Sequence, residues 1–223
     1  MSGALEPAVD LPGARAAPGW ARADPAAVAA LAELPATAVA DAMHRLGAME
    51  GAVRPLWPGA RLAGTALTVW VRTGDNLRLH RALDVAQPGD VLVVNGQGSL
   101  AHALFGELMG LRARARGIVG LVVDGAVRDL AQLERMAFPV FGRGACPNGP
   151  GKEGTGEVGY PVACGGVACC PGDVVLGDGD GVVVVPRASA ADVLAAARRV
   201  VADEEGRREA AALGRPVVDP APS

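Results

Sequence analysis

Two apolar runs, VLVVNG (91–96) and IVGLVVDG (118–125), constrain this chain most. Between them the chain turns at GQGS (96–99) and then has the texture of a helix over 100–117. A strand that leads through a helix into another strand is the signature of a βαβ crossover, which sets the two strands parallel. The pattern extends in both directions. ARLAGTALTVWVRT (60–73) alternates as a strand does, and Asp75 or Asn76 can cap a helix running to about Val85. DLAQLERMA (129–137) reads as one more helix. An α/β fold with a partly parallel sheet is therefore expected.

The flanks are different. DPAAVAALAELP (24–35) predicts a helix, with Asp24 as cap and Pro25 in the first turn. ATAVADAMHRLG (36–47) predicts a second, capped by Thr37 and stopped at Gly47. After Pro139, short Val-rich runs separated by Gly, Pro and Asp predict a mainly β half. A last helix is expected from Ser189, its cap, to Leu213. No repeat or linker divides the middle, so the expected organisation is a flexible tail at 1–24, one domain at 25–213 and a C-terminal tail at 214–223. Half the residues are hydrophobic and only 3% aromatic, so Ala, Val and Leu must fill the core.

Several function classes are excluded at this level. The formal net charge of −3 gives no bulk attraction to nucleic acid or to an anionic membrane. No stretch of 18 apolar residues and no secretory signal pattern is visible, so a soluble cytoplasmic protein is expected. Cys146, Cys164, Cys169 and Cys170 lack the paired spacing of a zinc site and read as reduced, partly buried thiols.

In an open α/β sheet, ligands sit beyond the carboxyl ends of the strands. One such end leads into LAHALFGELMG. Gly96 and Gly98 lack the third glycine of a dinucleotide fingerprint, since Ala101 stands there. Gly106 interrupts a helical pattern, at a cost of about 1 kcal/mol relative to Ala. If a helix restarts there, Glu107 opens it and the amides of Leu108 and Met109 are free for a substrate carboxylate. The competing reading is a glycine for close packing and a solvated glutamate. The other strand end is LVVDGAVRDL (121–130), where Asp124 and Gly125 are expected to end the strand. Arg128 then projects as a planar donor for a carboxylate, and Asp129 can hold a hard divalent cation directly or through water. The plainer alternatives are a surface ion pair and a helix cap. Asn76 and His80, four apart on one helix face, can line a polar pocket. His44 and His102 have no such context.

The segments GDN...H, AQPGDVLVVNGQGSLAHALFGELMG, GIVGLVVDGAVRDL and GGVACCPGDVVLGDGDGVVVVP occur in this order. In them, and over about residues 27–213, the chain resembles the RNase E regulator A-like family, which includes the 4-hydroxy-4-methyl-2-oxoglutarate/4-carboxy-4-hydroxy-2-oxoadipate aldolases. The resemblance implies an α/β/β sandwich-like fold with a swivelling, phosphohistidine-like domain core. It implies homotrimers, sometimes stacked as hexamers, with sites between subunits. It also implies a divalent-metal-dependent lyase that releases pyruvate from 4-hydroxy-2-oxo acids and decarboxylates oxaloacetate. On that resemblance Arg128 would bind the pyruvyl group and stabilise its enolate. Asp129 would anchor Mg²⁺ or Mn²⁺, largely through water. Glu107 stands where many aldolases carry Asp and would orient one of those waters. Gly106 and the amides of Leu108 and Met109 would hold the substrate carboxylate, with Asn76 and His80 lining the same pocket. Glu204 or Glu205 would reach a neighbouring subunit's site. A Schiff-base mechanism is not expected, because the only lysine, Lys152, lies outside these motifs, in the pocket loop 143–157, where selectivity can vary between members. The alternative is a non-catalytic member that inhibits a ribonuclease through protein contacts. Such members tend to lack the combination of Glu107, Arg128 and Asp129 found here.

Overall fold

The computed structural model describes residues 13–216. Helices α1 (Pro25–Ala32) and α2 (Ala36–Ala42) come first, followed by strands β1 (Arg54–Pro55) and β2 (Leu62–Val71). Next are α3 (Leu77–Val85), β3 (Asp90–Asn95), β4 (Ala103–Phe105), α4 (Glu107–Ala115), β5 (Gly120–Val127) and α5 (Leu130–Arg135). The β-rich half holds β6 (Val140–Ala145), β7 (Gly156–Val158), β8 (Val162–Cys164), β9 (Val167–Cys169), β10 (Val174–Asp178) and β11 (Gly181–Val185). Helix α6 (Ala190–Ala212) ends the described chain.

The main sheet runs β1-β6-β5-β3-β2-β10-β11. The crossovers behave as expected: β2, β3, β5 and β6 pair in parallel. The β10–β11 hairpin adds antiparallel to β2. The chain between α2 and β2 then draws the two ends of the sheet together. Met49 donates to Val182 O and Val184 donates to Gly47 O, both at 2.9 Å, while Arg54 and Pro55 pair with β6. The result is an almost closed, barrel-like sheet with helices outside.

Strand periodicity sorts the side chains into three cores. Val91 and Val93 of β3, Val122 of β5 and Val182 and Val184 of β11 point into the barrel with Phe141, Cys164 and Cys169. Leu92, Val94, Leu121 and Val123 point outward and are covered by α3, α4 and α5. Val174, Leu176, Val183 and Val185 face α1, α2 and α6. Small aliphatic residues do fill most of this space. Burial pushes the Cys164 thiol up to about 12, so it stays protonated and inert.

Several local expectations need correction. Residues 100–105 are not helical: Ala103 and Phe105 form a short strand against Ala126 and Val127 of β5. Ladder bonds and the burial of Ala103, Leu104 and Phe105 override the helical spacing there. Strand β5 does not end at Asp124 but continues to Val127. Thr37 does not cap α2; the Ala36 amide is held instead by Asp178 Oδ2 at 2.9 Å, from the β10–β11 turn. Helix α2 ends at Ala42, and His44 and Arg45 take left-handed conformations that swing Gly47 toward β11. Ser189 makes no side-chain cap, because a 3-10 turn over Arg187–Ser189 leads into α6. Asp24 does cap α1, accepting from the Ala26 amide at 3.0 Å.

The part of the expected tail that is described is bound to the domain. Ala17 donates to Val158 O at 2.9 Å and Ala23 to Gly172 O at 3.1 Å. Arg22 pairs with Asp90, whose side chain is fully buried. The expected tail over residues 1–12 and the segment 217–223 lie outside the described residues.

Candidate active site

Two helix starts and one strand end converge. Helix α4 begins at Glu107, so its first amides have no acceptor within the helix, and Gly110 is the first to bond back, to Gly106 O at 3.0 Å. Beyond the end of β5, the Arg128 amide donates to Phe105 O at 2.9 Å, which ties that end to the residue before Gly106. Asp129 follows in a left-handed conformation, φ 59° and ψ 39°, which carboxylate and amide residues tolerate better than others. Its side chain does not cap α5. Instead Asp129 Oδ2 accepts from the Glu107 amide at 3.0 Å, with Arg128 Nε 3.7 Å away. Gly106 lies directly under this junction: a Cβ there would stand 2.6 Å from Asp129 Oδ2 and 3.0 Å from Arg128 Cγ.

All eight expected pocket residues, from Asn76 and His80 through Gly106–Met109 to Arg128 and Asp129, line one hollow of about 370 Å³. Glu204 and Glu205 do not. They lie on α6, which packs on α1 and α2, and Glu204 accepts from Arg208 at 2.7 Å. Asp124 is also elsewhere: its carboxylate pairs with Arg143 and accepts from the Gly165 amide at 3.2 Å.

Each wall has its own support. Asn76 is buried and donates to Leu104 O at 2.9 Å and to Met109 Sδ at 3.3 Å, but its Oδ1 has no partner among the described residues. A buried acceptor left open on a pocket wall fits a donor on a ligand or a water. His80 Nδ1 lies 2.8 Å from Arg112. A guanidinium only donates, so Nδ1 accepts and the ring proton sits on Nε2. Burial, then the charges of Lys152 and Arg112, hold the imidazole below its ordinary 6.5, against the opposing pull of Asp84. His80 is thus neutral at pH 7.

The remaining wall is the loop 146–155, whose Pro150 and Lys152 line the hollow. The sequence marks 143–157 as a pocket loop but gives Lys152 no role of its own, because only the fold shows which residues of this loop return to α3. The signal was Asp75. Its Oδ2 accepts from the amides of Glu153 and Gly154, each at 2.7 Å, and its Oδ1 from Leu77 at 2.9 Å. Burial pushes the Asp75 carboxyl up, but these three amides and the Arg72 charge outweigh it and leave it below the ordinary carboxylate range. Asp75 therefore starts α3 and clamps the loop with the same carboxylate.

The donor set limits the metal such a site could take. Among the described residues no group of three or more His, Cys, Asp or Glu side chains is arranged to hold a metal ion by itself. Asp129 Oδ1 and the Glu107 carboxylate carry no hydrogen bond from the described residues. One or two hard carboxylates suit a cation that keeps most of its water, such as Mg²⁺, and do not suit a closed zinc-type site.

The family model described as Aldolase/RraA matches residues 36–184. The chain belongs to the RraA-like family. Among RraA-like relatives, a Halalkalibacterium halodurans protein named, provisionally, a 4-hydroxy-4-methyl-2-oxoglutarate aldolase is 38% identical over 177 residues, covering 79% of this chain and 84% of the relative. The solved structure of Streptomyces coelicolor RraAS2, described as an unusual member of the RNase ES inhibitor RraA protein family, superposes with a TM-score of 0.76 at 30% identity, covering 85% of this chain and 99% of that one. An uncharacterized Pseudomonas syringae protein gives a TM-score of 0.77 at 27% identity over 89% of this chain and 98% of its own. The expected fold class holds: this is the mixed α/β, barrel-like architecture of the RraA-like structures.

Proposed function

We propose that the chain is a divalent-metal-dependent lyase that cleaves 4-hydroxy-2-oxo acids of the 4-hydroxy-4-methyl-2-oxoglutarate type to pyruvate, and that decarboxylates oxaloacetate as a side activity. The observation that carries this reading is the Asp129–Glu107 bond, which sets a guanidinium, two carboxylates and free helix amides around one hollow. The name of the Halalkalibacterium relative points the same way.

Both reactions break a carbon–carbon bond and leave an electron pair on a pyruvate enolate. The amides of Leu108 and Met109 bind the substrate's 1-carboxylate at the α4 N-terminus. Arg128, with its terminal nitrogens free of protein acceptors among the described residues, stabilises the enolate oxygen as charge develops there. Asp129 and Glu107 would hold Mg²⁺ or Mn²⁺, which when bound supplies polarisation of the 2-oxo group. In the retro-aldol direction the 4-hydroxyl loses its proton, the C3–C4 bond breaks, and C3 of the departing enolate is reprotonated. Glu107 is our candidate to take part in moving that proton, and neutral His80 and Asn76 orient the remainder of the substrate by hydrogen bonds. We further propose a soluble homotrimer, in which Glu204 or Glu205 of one copy reaches the site of the next. Among the described residues no helix is long and apolar enough to cross a membrane.

The test is pyruvate release from 4-hydroxy-4-methyl-2-oxoglutarate and from oxaloacetate, with Mg²⁺ and with EDTA. Turnover of at least one with the metal, abolished by the chelator, is the expected result. A second reading, a non-catalytic protein that inhibits a ribonuclease, has in its favour the likeness to one structure described as a member of the RNase ES inhibitor RraA family and to another described as an RNA-processing inhibitor. Absence of metal-dependent turnover together with inhibition of a purified RNase E-type ribonuclease would decide for it.

A further inference from the structure

Strand β7 is only three residues long, and it leaves the pocket loop 146–155 directly. Strand β2 pairs with one of its edges. The other edge is covered by the segment 13–17, which forms a strap. Gly156 donates to Gly13 O at 2.6 Å, Val158 to Arg15 O at 3.2 Å, and Ala17 to Val158 O at 2.9 Å. The side chains repeat the attachment. Glu157 Oε1 accepts from the Gly13 amide at 2.9 Å and from Arg15 Nε at 3.0 Å. The Arg15 guanidinium also lies 4.0 Å over the Tyr160 ring. Further along, Trp20 lies against Gly159 and the α3–α5 core, and Arg22 reaches the buried Asp90. The strap itself lies before the family match, which begins at residue 36, while its partners on β7 lie within it.

A three-residue strand paired on one edge alone is marginal. With both edges paired, β7 becomes a fixed end-post for the loop. Nearer the hollow the loop is held by Asp75, through the Glu153 and Gly154 amides, and at Gly151, which donates to Gly74 O at 2.8 Å and accepts from the Asn76 amide at 3.0 Å. Lys152 and Pro150, the residues this loop contributes to the hollow, lie just before the Asp75 contacts and on either side of Gly151.

We propose that the strap is a positioning element for the site, and that Glu157 is its positioning residue: the strap fixes β7, and β7 with Asp75 fixes the Lys152 wall of the hollow. No residue of the strap lines the hollow, so it acts through the loop. Its kinetic consequence rests on the lyase reading above, but its structural consequence does not.

Hydrogen exchange and steady-state kinetics of the full chain test this with Arg15→Ala/Glu157→Ala. The amides of Glu153 and Gly154 are expected to exchange about tenfold faster, with those of Val93 and Val122 unchanged. KM for the 2-oxo acid is expected to rise about tenfold, with kcat within about twofold. Glu157→Gln keeps an acceptor for the Gly13 amide and is expected to stay near wild type on both measures. Faster exchange confined to Gly156 and Val158, or a lower melting temperature with Glu153 and Gly154 unchanged, overturns the inference. Faster exchange at Glu153 and Gly154 with an unchanged KM overturns its kinetic half. If the wild type shows no turnover at all, the lyase reading fails while the exchange result still decides the structural half.

Discussion

Gly106 has no room for a methyl group. Its φ of −161° is ordinary extended backbone, so the constraint is purely steric, set by Asp129 Oδ2 at 2.6 Å from the would-be Cβ. Gly106→Ala is expected to displace the Asp129 carboxylate and lower kcat by about tenfold or more, since a shift near 1 Å at a reacting group has large effects. Steady-state kinetics beside a thermal melt check this; wild-type kcat would contradict it. Arg128 makes a different prediction. Its side chain is 44% exposed and its ion pair with Asp129 is long, so Arg128→Ala should keep the melting temperature while kcat falls by roughly 10²- to 10³-fold. His80 sets a pH dependence. Its folded proton affinity lies below the ordinary 6.5, so the stability it contributes is present above that value and is lost as pH falls through the lower folded value. Thermal melts between about pH 8 and about pH 5 should show this loss in the wild type and a flatter curve for His80→Gln. The chemical identity of these residues was legible because two strand ends each carried polar residues with no packing reason to be there. The contact between Asp129 and the Glu107 amide was not, since it spans 22 positions and depends on how two elements dock.

At the scale of elements, the boundary of α4 matters more than its length. The sequence has helical spacing from residue 100, yet the helix starts at Glu107, because the preceding residues pair with β5. Local spacing cannot register a neighbouring strand's unpaired edge, so it overran the boundary. The glycine that breaks the pattern was the better guide. The end of β5 was misread in the opposite sense. Asp124 looked like a stop, but an ion pair with Arg143 and the Gly165 amide lets a carboxylate remain inside the strand. Caps were legible only where the chain caps itself. Asp24 serves its own helix, whereas Asp178 serves α2 from 142 positions away. The pocket loop gives the prediction belonging to this scale. Asp75→Ala would strip three amides of their acceptor, and is expected to cost about 2 kcal/mol or more and to raise KM. A denaturant melt with parallel kinetics reads both effects. An unchanged midpoint would mean that the loop holds itself.

For the molecule as a whole, α6 reaches beyond what the domain needs. Only Ala190, Val193 and Ala197 of its 23 residues are buried, all in the first half. A chain ending at Val201 is therefore expected to stay folded, and to sediment as a monomer if the full chain forms the proposed trimer through α6. Sedimentation of both forms checks this, and equal masses would remove α6 from the assembly surface. The way the sheet closes bears on a separate property, the tendency to aggregate. Backbone bonds from residues 47–49 occupy the outer edge of β11, the strap occupies that of β7, and β1 is only two residues long. An unpaired strand edge is the usual template on which misassembled chains grow. The exposed Leu46 and Leu108 are for that reason a lesser solubility hazard than they look. The greater hazard lies in substitutions that free 47–49, which would uncover the Val-rich edge of β11 in a chain that is otherwise still folded.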